Sequence, residues 1–244
     1  MAKSKIAPLS VSSVSKDFKE KKVLKNVSLS VKLGEIYGLI GVNGVGKTTL
    51  IKVILDLLNS DKGETKFFDK DSTDPDSRKN IAYLPEKFYP SPFLKGREFL
   101  SLSLSYHGKK LDIKEAKAKA KVLDLDPKVL DHRIGKYSKG MGQKLGLLSM
   151  FLAGSPLLLL DEPMSGLDPN ARIKLKALLK EYKEQGNTVF FSSHILADIE
   201  EICDRMAVMH NGKLIYEGDS ATFLKKYKEK NLEMAFLRAI ESDK

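Results

Sequence analysis

The sequence predicts an α/β fold: a mixed sheet with a parallel core, an N-terminal antiparallel β layer ahead of it, and an inserted α-helical subdomain. Three observations carry this. An apolar run at 35–40 leads through a glycine-rich stretch at 41–49 into a second apolar run at 50–55, the order strand, turn, helix. Before it, residues 9–18 roughly alternate apolar and polar and residues 27–31 alternate cleanly, as strands with one solvated face do. After it, residues 93–150 are mainly helical in pattern, and four consecutive leucines at 157–160 then read as a buried strand.

Each element follows in order. Residues 1–8 read as a tail, 32–35 as a turn, and 63–68 and 81–86 as short strands, the latter ended by Pro85. The helical stretch divides into 97–107, 113–123 and 139–152, with Asp112 as a cap and with Pro127 and Gly135 interrupting. An amphipathic helix at 173–182 precedes a buried strand at 188–191 and a helix at 195–202. Asn211-Gly212 joins the strands 206–210 and 213–216 as a hairpin. Leu232, Ala235, Phe236, Ala239 and Ile240 recur on one helical face, a stripe that packs on its own domain. The expected domains are a tail at 1–8, a nucleotide-binding domain at 9–220 with its helical subdomain at about 88–152, and a helical extension at 221–244.

With 244 residues, 42% of them apolar, the chain has ample core and is not globally disordered. A formal charge of +10 favours an anionic neighbour, whether nucleotide phosphate, acidic lipid or nucleic acid. The lysines are scattered, and the concentrations at 16–25 and 225–230 read as solvated surface. The single cysteine, Cys203, permits no intrachain disulfide and reads as an inert thiol in a helix. The N-terminus has no long apolar secretion core, and 145–160 is broken by Gly146, Gly154 and Pro156. The latter reads as a helix end and a strand, because a membrane span needs about 20 apolar residues.

The chemistry concentrates in Gly41-Val42-Asn43-Gly44-Val45-Gly46-Lys47-Thr48-Thr49. This is the P-loop spacing, so the core is that of a P-loop NTPase. Glycines let backbone N–H groups converge on phosphate, and the following helix adds its positive end. Lys47 would reach the β- and γ-phosphates and Thr48 would ligate Mg²⁺. Asp161, at the carboxyl end of the leucine strand, would hold Mg²⁺ opposite Thr48, and Glu162 would serve as general base. His194, past another strand end, can donate to a γ-phosphate, although such a histidine taken alone is more often structural. Phe18 either stacks on the base or packs on its own sheet.

The order of elements resembles the ATP-binding cassette (ABC) of ABC transporters, over almost the whole chain. Tyr137-Ser138-Lys139-Gly140-Met141-Gly142-Gln143-Lys144 is similar to the family signature, and Ser165-Gly166-Leu167-Asp168 to its D-loop. Asp161-Glu162-Pro163 and His194 also stand where the family has them. The resemblance implies the ABC ATPase fold and hydrolysis of ATP with Mg²⁺. It implies a homodimer, or pairing with a second cassette, around two ATP molecules. Ser138 and Gly140 would bind the partner's γ-phosphate, and Asp168 joins the nucleotide-site residues. Glu86 stands where the family usually has Gln and would ligate Mg²⁺. Met141 and Lys139 also depart from the usual signature. Such variants, with 83–86 and the tail at 232–237, resemble export-type cassettes encoded apart from their transmembrane permease subunits. That places the chain in the cytoplasm, peripheral on the cytoplasmic face of the cell membrane, with no nucleic-acid partner. Phe88, Tyr89 and Phe93 either dock the permease or fill the subdomain core. A non-transport assembly ATPase is the second reading. A GTPase or kinase is disfavoured, because no guanine-reading motif is seen and nothing calls for an acceptor lid.

Overall fold

The structure is a computed structural model that describes residues 6–243, so most of the expected tail at 1–8 lies outside the described residues. Two sheets form. Strands β1 (Leu9–Phe18), β2 (Lys21–Val31), β4 (Lys62–Phe67) and β5 (Lys70–Asp71) make an antiparallel sheet in the order β2-β1-β4-β5. The central sheet contains β3 (Ile36–Ile40), β6 (Ile81–Leu84), β7 (Leu157–Asp161), β8 (Thr188–Ser193), β9 (Arg205–His210) and β10 (Lys213–Gly218). Its order is β10-β9-β3-β8-β7-β6, parallel throughout except for the β9–β10 hairpin. The expected mixed sheet and antiparallel layer are both present.

Strand alternation divides the core in two. Tyr37, Leu39, Leu157, Leu159, Phe190, Ala207 and Met209 face the antiparallel sheet. Between the layers lies α1 (Lys47–Ile54), whose Leu50, Ile51 and Ile54 are fully buried. Ile36, Leu158, Leu160, Val189, Phe191 and Val208 face the other way, into the helices. Those are α2 (Gly96–Tyr106), α3 (Ile113–Val122), α4 (Lys139–Ala153), α5 (Pro169–Glu184), α6 (Leu196–Ile202), α7 (Ser220–Tyr227) and α8 (Leu232–Glu241). The order of these layers places the carboxyl ends of β3, β7 and β8 side by side, which is where the candidate residues cluster.

Several boundaries differ from the sequence reading. β2 begins six residues before the clean alternation, because its lysine-rich first half is mostly exposed and carries no apolar pattern. α5 starts at Pro169, with Asp168 accepting the Ala171 N–H at 2.9 Å; a proline fits the first helical position, ahead of the amphipathic stretch. Cys203 follows α6 rather than lying inside it, and burial pushes its thiol well above the ordinary range. α7 has no separate counterpart in the sequence reading. Asp112 caps α3 as expected, accepting from Lys114 N at 2.7 Å. Leu232, Ala235, Phe236 and Ala239 are buried in the chain's own core.

Candidate nucleotide-binding site

The loop 41–46 connects the buried β3 to α1. Gly46, the residue before α1, has φ +116°, and a Cβ there would stand 3.1 Å from the Val23 carbonyl oxygen. Only glycine takes that backbone without strain. The turn delivers Lys47 as the first residue of α1, with Thr48 and Thr49 behind it. Lys47 is buried; its Nζ donates to the Gly41 carbonyl at 2.7 Å and lies 3.2 Å from Glu162 Oε1.

A cleft of about 670 Å³ opens above this loop. It is lined by the loop and helix residues Asn43, Gly44, Gly46, Lys47, Thr48 and Thr49, and by Glu86, Glu162, Ser165 and His194. Phe18, 45% exposed, forms the other end beside Lys21 and Val23. Its ring is partly covered, with the Lys16 ammonium 5.7 Å from its centroid. Gly41 and Val42 line a smaller adjoining groove with His194, and Val45 packs on the core beneath.

The acids are tied together behind the loop. Asp161 ends β7, is fully buried, and accepts from Ser192 Oγ at 2.6 Å. The same Ser192 oxygen accepts the Glu162 N–H at 3.0 Å. Glu162 has φ +51°, which turns it from the strand line. Its Oε2 lies 2.8 Å from His194 Nδ1, the imidazole N–H donating to the carboxylate. Ser192 escaped the sequence reading; a serine at a strand end, 31 residues from Asp161, gives no local signal.

Burial raises the Asp161 carboxyl above its ordinary range; the Ser192 hydrogen bond and the nearby Thr48 hydroxyl lower it, and the charges of Glu86 and Glu162 raise it. Asp161 Oδ2 is buried without a hydrogen-bond partner. That orphan acceptor, beside the Thr48 hydroxyl, fits a divalent cation. No group of three or more His, Cys, Asp or Glu side chains disposed to hold a metal occurs among the described residues. Mg²⁺, which takes one or two protein oxygens and completes its shell with phosphate and water, would need no more than the Thr48 hydroxyl and the Asp161 carboxylate.

Three of the expected site residues are not brought to this cleft. Ser138 lines an adjoining groove of about 540 Å³, which shares Glu86 and Ser165 with the cleft, and caps α4, its Oγ accepting Met141 N–H at 3.2 Å. Gly140 lies against Gly166, and Asp168 against Lys144 at 3.4 Å. The three aromatics that the sequence left open divide. Phe88 packs on the subdomain core, edge-on to Phe99, while Tyr89 and Phe93 are 85% and 80% exposed.

A family model described as ABC transporter matches residues 24–165, more than half of the chain. The chain belongs to the ABC transporter ATP-binding family. It is a family of ATPases. An uncharacterized ABC transporter ATP-binding protein of Synechocystis is 39% identical, over 82% of this chain and 58% of that relative. The chain thus spans less than two-thirds of that relative's length. The Nod factor export ATP-binding protein I of Burkholderia orbicola is 33% identical, over 87% of this chain and 71% of its own. A solved structure of the ATP-binding subunit of an ABC transporter superposes with a TM-score of 0.88 at 30% identity. It covers 95% of this chain and 98% of its own. These likenesses confirm the expected ABC ATPase fold. No helix among the described residues is long and apolar enough to cross a membrane.

Proposed function

We propose that this ABC cassette hydrolyses ATP as half of a pair, with itself or a second cassette, and drives export through separate transmembrane permease subunits. The observation that supports pairing is the division of the site. Lys47, Thr48, Glu86, Glu162 and His194 gather round one cleft, whereas Ser138, Gly140 and Asp168 stand outside it. A helix N-terminus such as that of α4 suits an anion supplied from elsewhere, here the γ-phosphate held by a partner.

Within one cassette, Phe18 offers its ring face to the base and the 41–46 loop cradles the phosphates. Lys47 exchanges the Gly41 carbonyl and Glu162 for β- and γ-phosphate oxygens. Mg²⁺, held by Thr48 and Asp161 with Glu86 beside them, would offset phosphate charge. Glu162 accepts the proton of the attacking water. His194, whose Nδ1 lies against Glu162, would donate an imidazole N–H to the γ-phosphate. Export is supported by the Burkholderia relative, and Tyr89 and Phe93 offer exposed aromatic surface for a permease.

The test is purification of the tagged chain from detergent-solubilised membranes, with identification of what accompanies it. A multi-span membrane protein, lost on Tyr89→Ala/Phe93→Ala substitution, is expected. Recovery only in a soluble assembly complex would overturn the transport reading.

A further inference from the structure

Along one face of α4, the turn that begins at Ser138 meets the loop after Glu162 in three places. Gly140 approaches Gly166 so closely that a Cβ on it would stand 3.1 Å from the Gly166 carbonyl oxygen. Gln143, buried, donates from Nε2 to the Pro163 carbonyl at 3.1 Å. Lys144, also buried, places Nζ 3.4 Å from Asp168 Oδ2. Positions 140, 143 and 144 are i, i+3 and i+4, so they share a face.

Lys144 is the node of this contact. Its Nζ also donates to the Asp124 carbonyl at 2.9 Å and lies 3.2 Å from Asp124 Oδ2, just past the end of α3. Lys174 of α5 reaches the other Asp124 oxygen at 2.7 Å. Asp168 is held at both ends: Oδ1 caps α5 and Oδ2 faces Lys144. The Ala171 N–H first, and Lys144 after it, hold the Asp168 carboxyl below its ordinary range, so it stays charged at neutral pH.

We propose that Lys144 is a positioning residue that fixes Asp168, and the loop 163–168 with it, against Ser138–Gly140, so that both elements meet a partner's nucleotide as one body. This rests on the paired-cassette reading above. The competing role is plain structural glue, with Lys144 serving only to fasten α3 to α4 through Asp124. The two differ in what a variant should change. Loss of positioning lowers turnover and spares nucleotide affinity, because Lys47 and Phe18 are untouched. Loss of glue lowers stability first.

The test compares Lys144→Met, Lys144→Arg, Asp168→Asn and Asp124→Asn in the full chain. ATP turnover, affinity for a fluorescent ATP analogue and thermal midpoint are measured for each. Lys144→Met should lower kcat about tenfold with analogue affinity within about twofold, and Lys144→Arg should restore most of the turnover. The Lys144→Met/Asp168→Asn double variant should be no slower than the slower single variant, since both remove one contact. Asp124→Asn should lower the midpoint and leave kcat within about twofold. Asp168→Asn keeps an α5 cap and removes only the charge, so it carries the test if Lys144→Met does not fold. Undiminished kcat in Lys144→Met, multiplying losses in the double variant, or an equal loss in Asp124→Asn would overturn the proposal. Failure of the paired-cassette reading is seen separately, as wild-type specific activity that does not depend on protein concentration.

Discussion

Replacing Glu162 by Gln keeps the size of the side chain and removes its charge, which tests the proposed base directly. Two contacts change: the ion pair to Lys47 at 3.2 Å and the hydrogen bond from His194 at 2.8 Å. At an effective dielectric near 20, the ion pair is worth about 5 kcal/mol before desolvation. Both groups are buried, and desolvation cancels most of that, leaving about 1 kcal/mol. An incoming phosphate must replace that residue of attraction, so Glu162→Gln frees Lys47 and tightens ATP about fivefold. Hydrolysis goes the other way. A positioned base contributes about 10²- to 10⁴-fold, or about 3–5 kcal/mol of barrier. Titration with a fluorescent ATP analogue measures the first effect, and phosphate release at saturating ATP-Mg²⁺ the second. The expected outcome is tight binding with almost no turnover and, by light scattering, a trapped dimer. Turnover within about threefold of wild type would refute the role of base. Hydrolysis and affinity falling together would mean that Glu162 shapes the loop rather than the reaction.

Three further predictions follow from separate parts of the molecule. Phe18→Ala should weaken ATP about fivefold, the equivalent of about 1 kcal/mol of stacking, while Phe18→Trp retains it; unchanged affinity in nucleotide titrations would return Phe18 to a strand-end role. Leu159 is fully buried in the central β7, so Leu159→Ala should cost about 2–5 kcal/mol in urea unfolding, against about 0.5 kcal/mol or less for the exposed Leu33→Ala. Glu35, buried beside Arg205 and accepting the Lys32 N–H, has its carboxyl raised chiefly by burial. Its folded value exceeds its unfolded one, so ionisation opposes folding. The stability difference between Glu35→Gln and wild type should therefore shift in favour of the variant as pH rises from the ordinary carboxylate range through the raised value. A flat difference in pH-dependent urea midpoints would contradict that.

What could be read from the sequence was what the chain encodes locally. A P-loop is nine neighbouring residues whose backbone does the binding, and four leucines with two acids behind them announce a buried strand and its functional end. The helical subdomain was legible from period alone. What escaped depends on groups far apart in sequence or on exposed elements. Ser192 matters because it joins Asp161 and the Glu162 amide, and Lys144 because it meets Asp124 and Asp168 from another helix. The first half of β2 is exposed on both faces at its lysines, so hydrophobic pattern could not find it. The aromatics at 88–93 could be separated only by packing: Phe88 finds Phe99, whereas Tyr89 and Phe93 face outward.

The charge balance of the cleft explains why loop, acids and cation must be considered together. Lys47 and Lys21 supply positive charge there and Glu86 and Glu162 negative charge, with the Asp161 carboxyl buried behind them. A triphosphate entering by itself would set further negative charge against those carboxylates, with only the loop amides and the α1 terminus to help. Within the protein, these groups are paired with one another. Lys47 pairs with Glu162, the Ser192 hydroxyl donates to Asp161 while accepting the Glu162 backbone N–H, and burial raises the Asp161 carboxyl. Each of these arrangements uses a group that the nucleotide would claim: the Lys47 ammonium for phosphate, and the Asp161 oxygens for a cation. A divalent cation held by Thr48 and Asp161 would favour the carboxylate form of Asp161 and offset phosphate charge, and a phosphate that drew Lys47 away would leave Glu162 free to act as base.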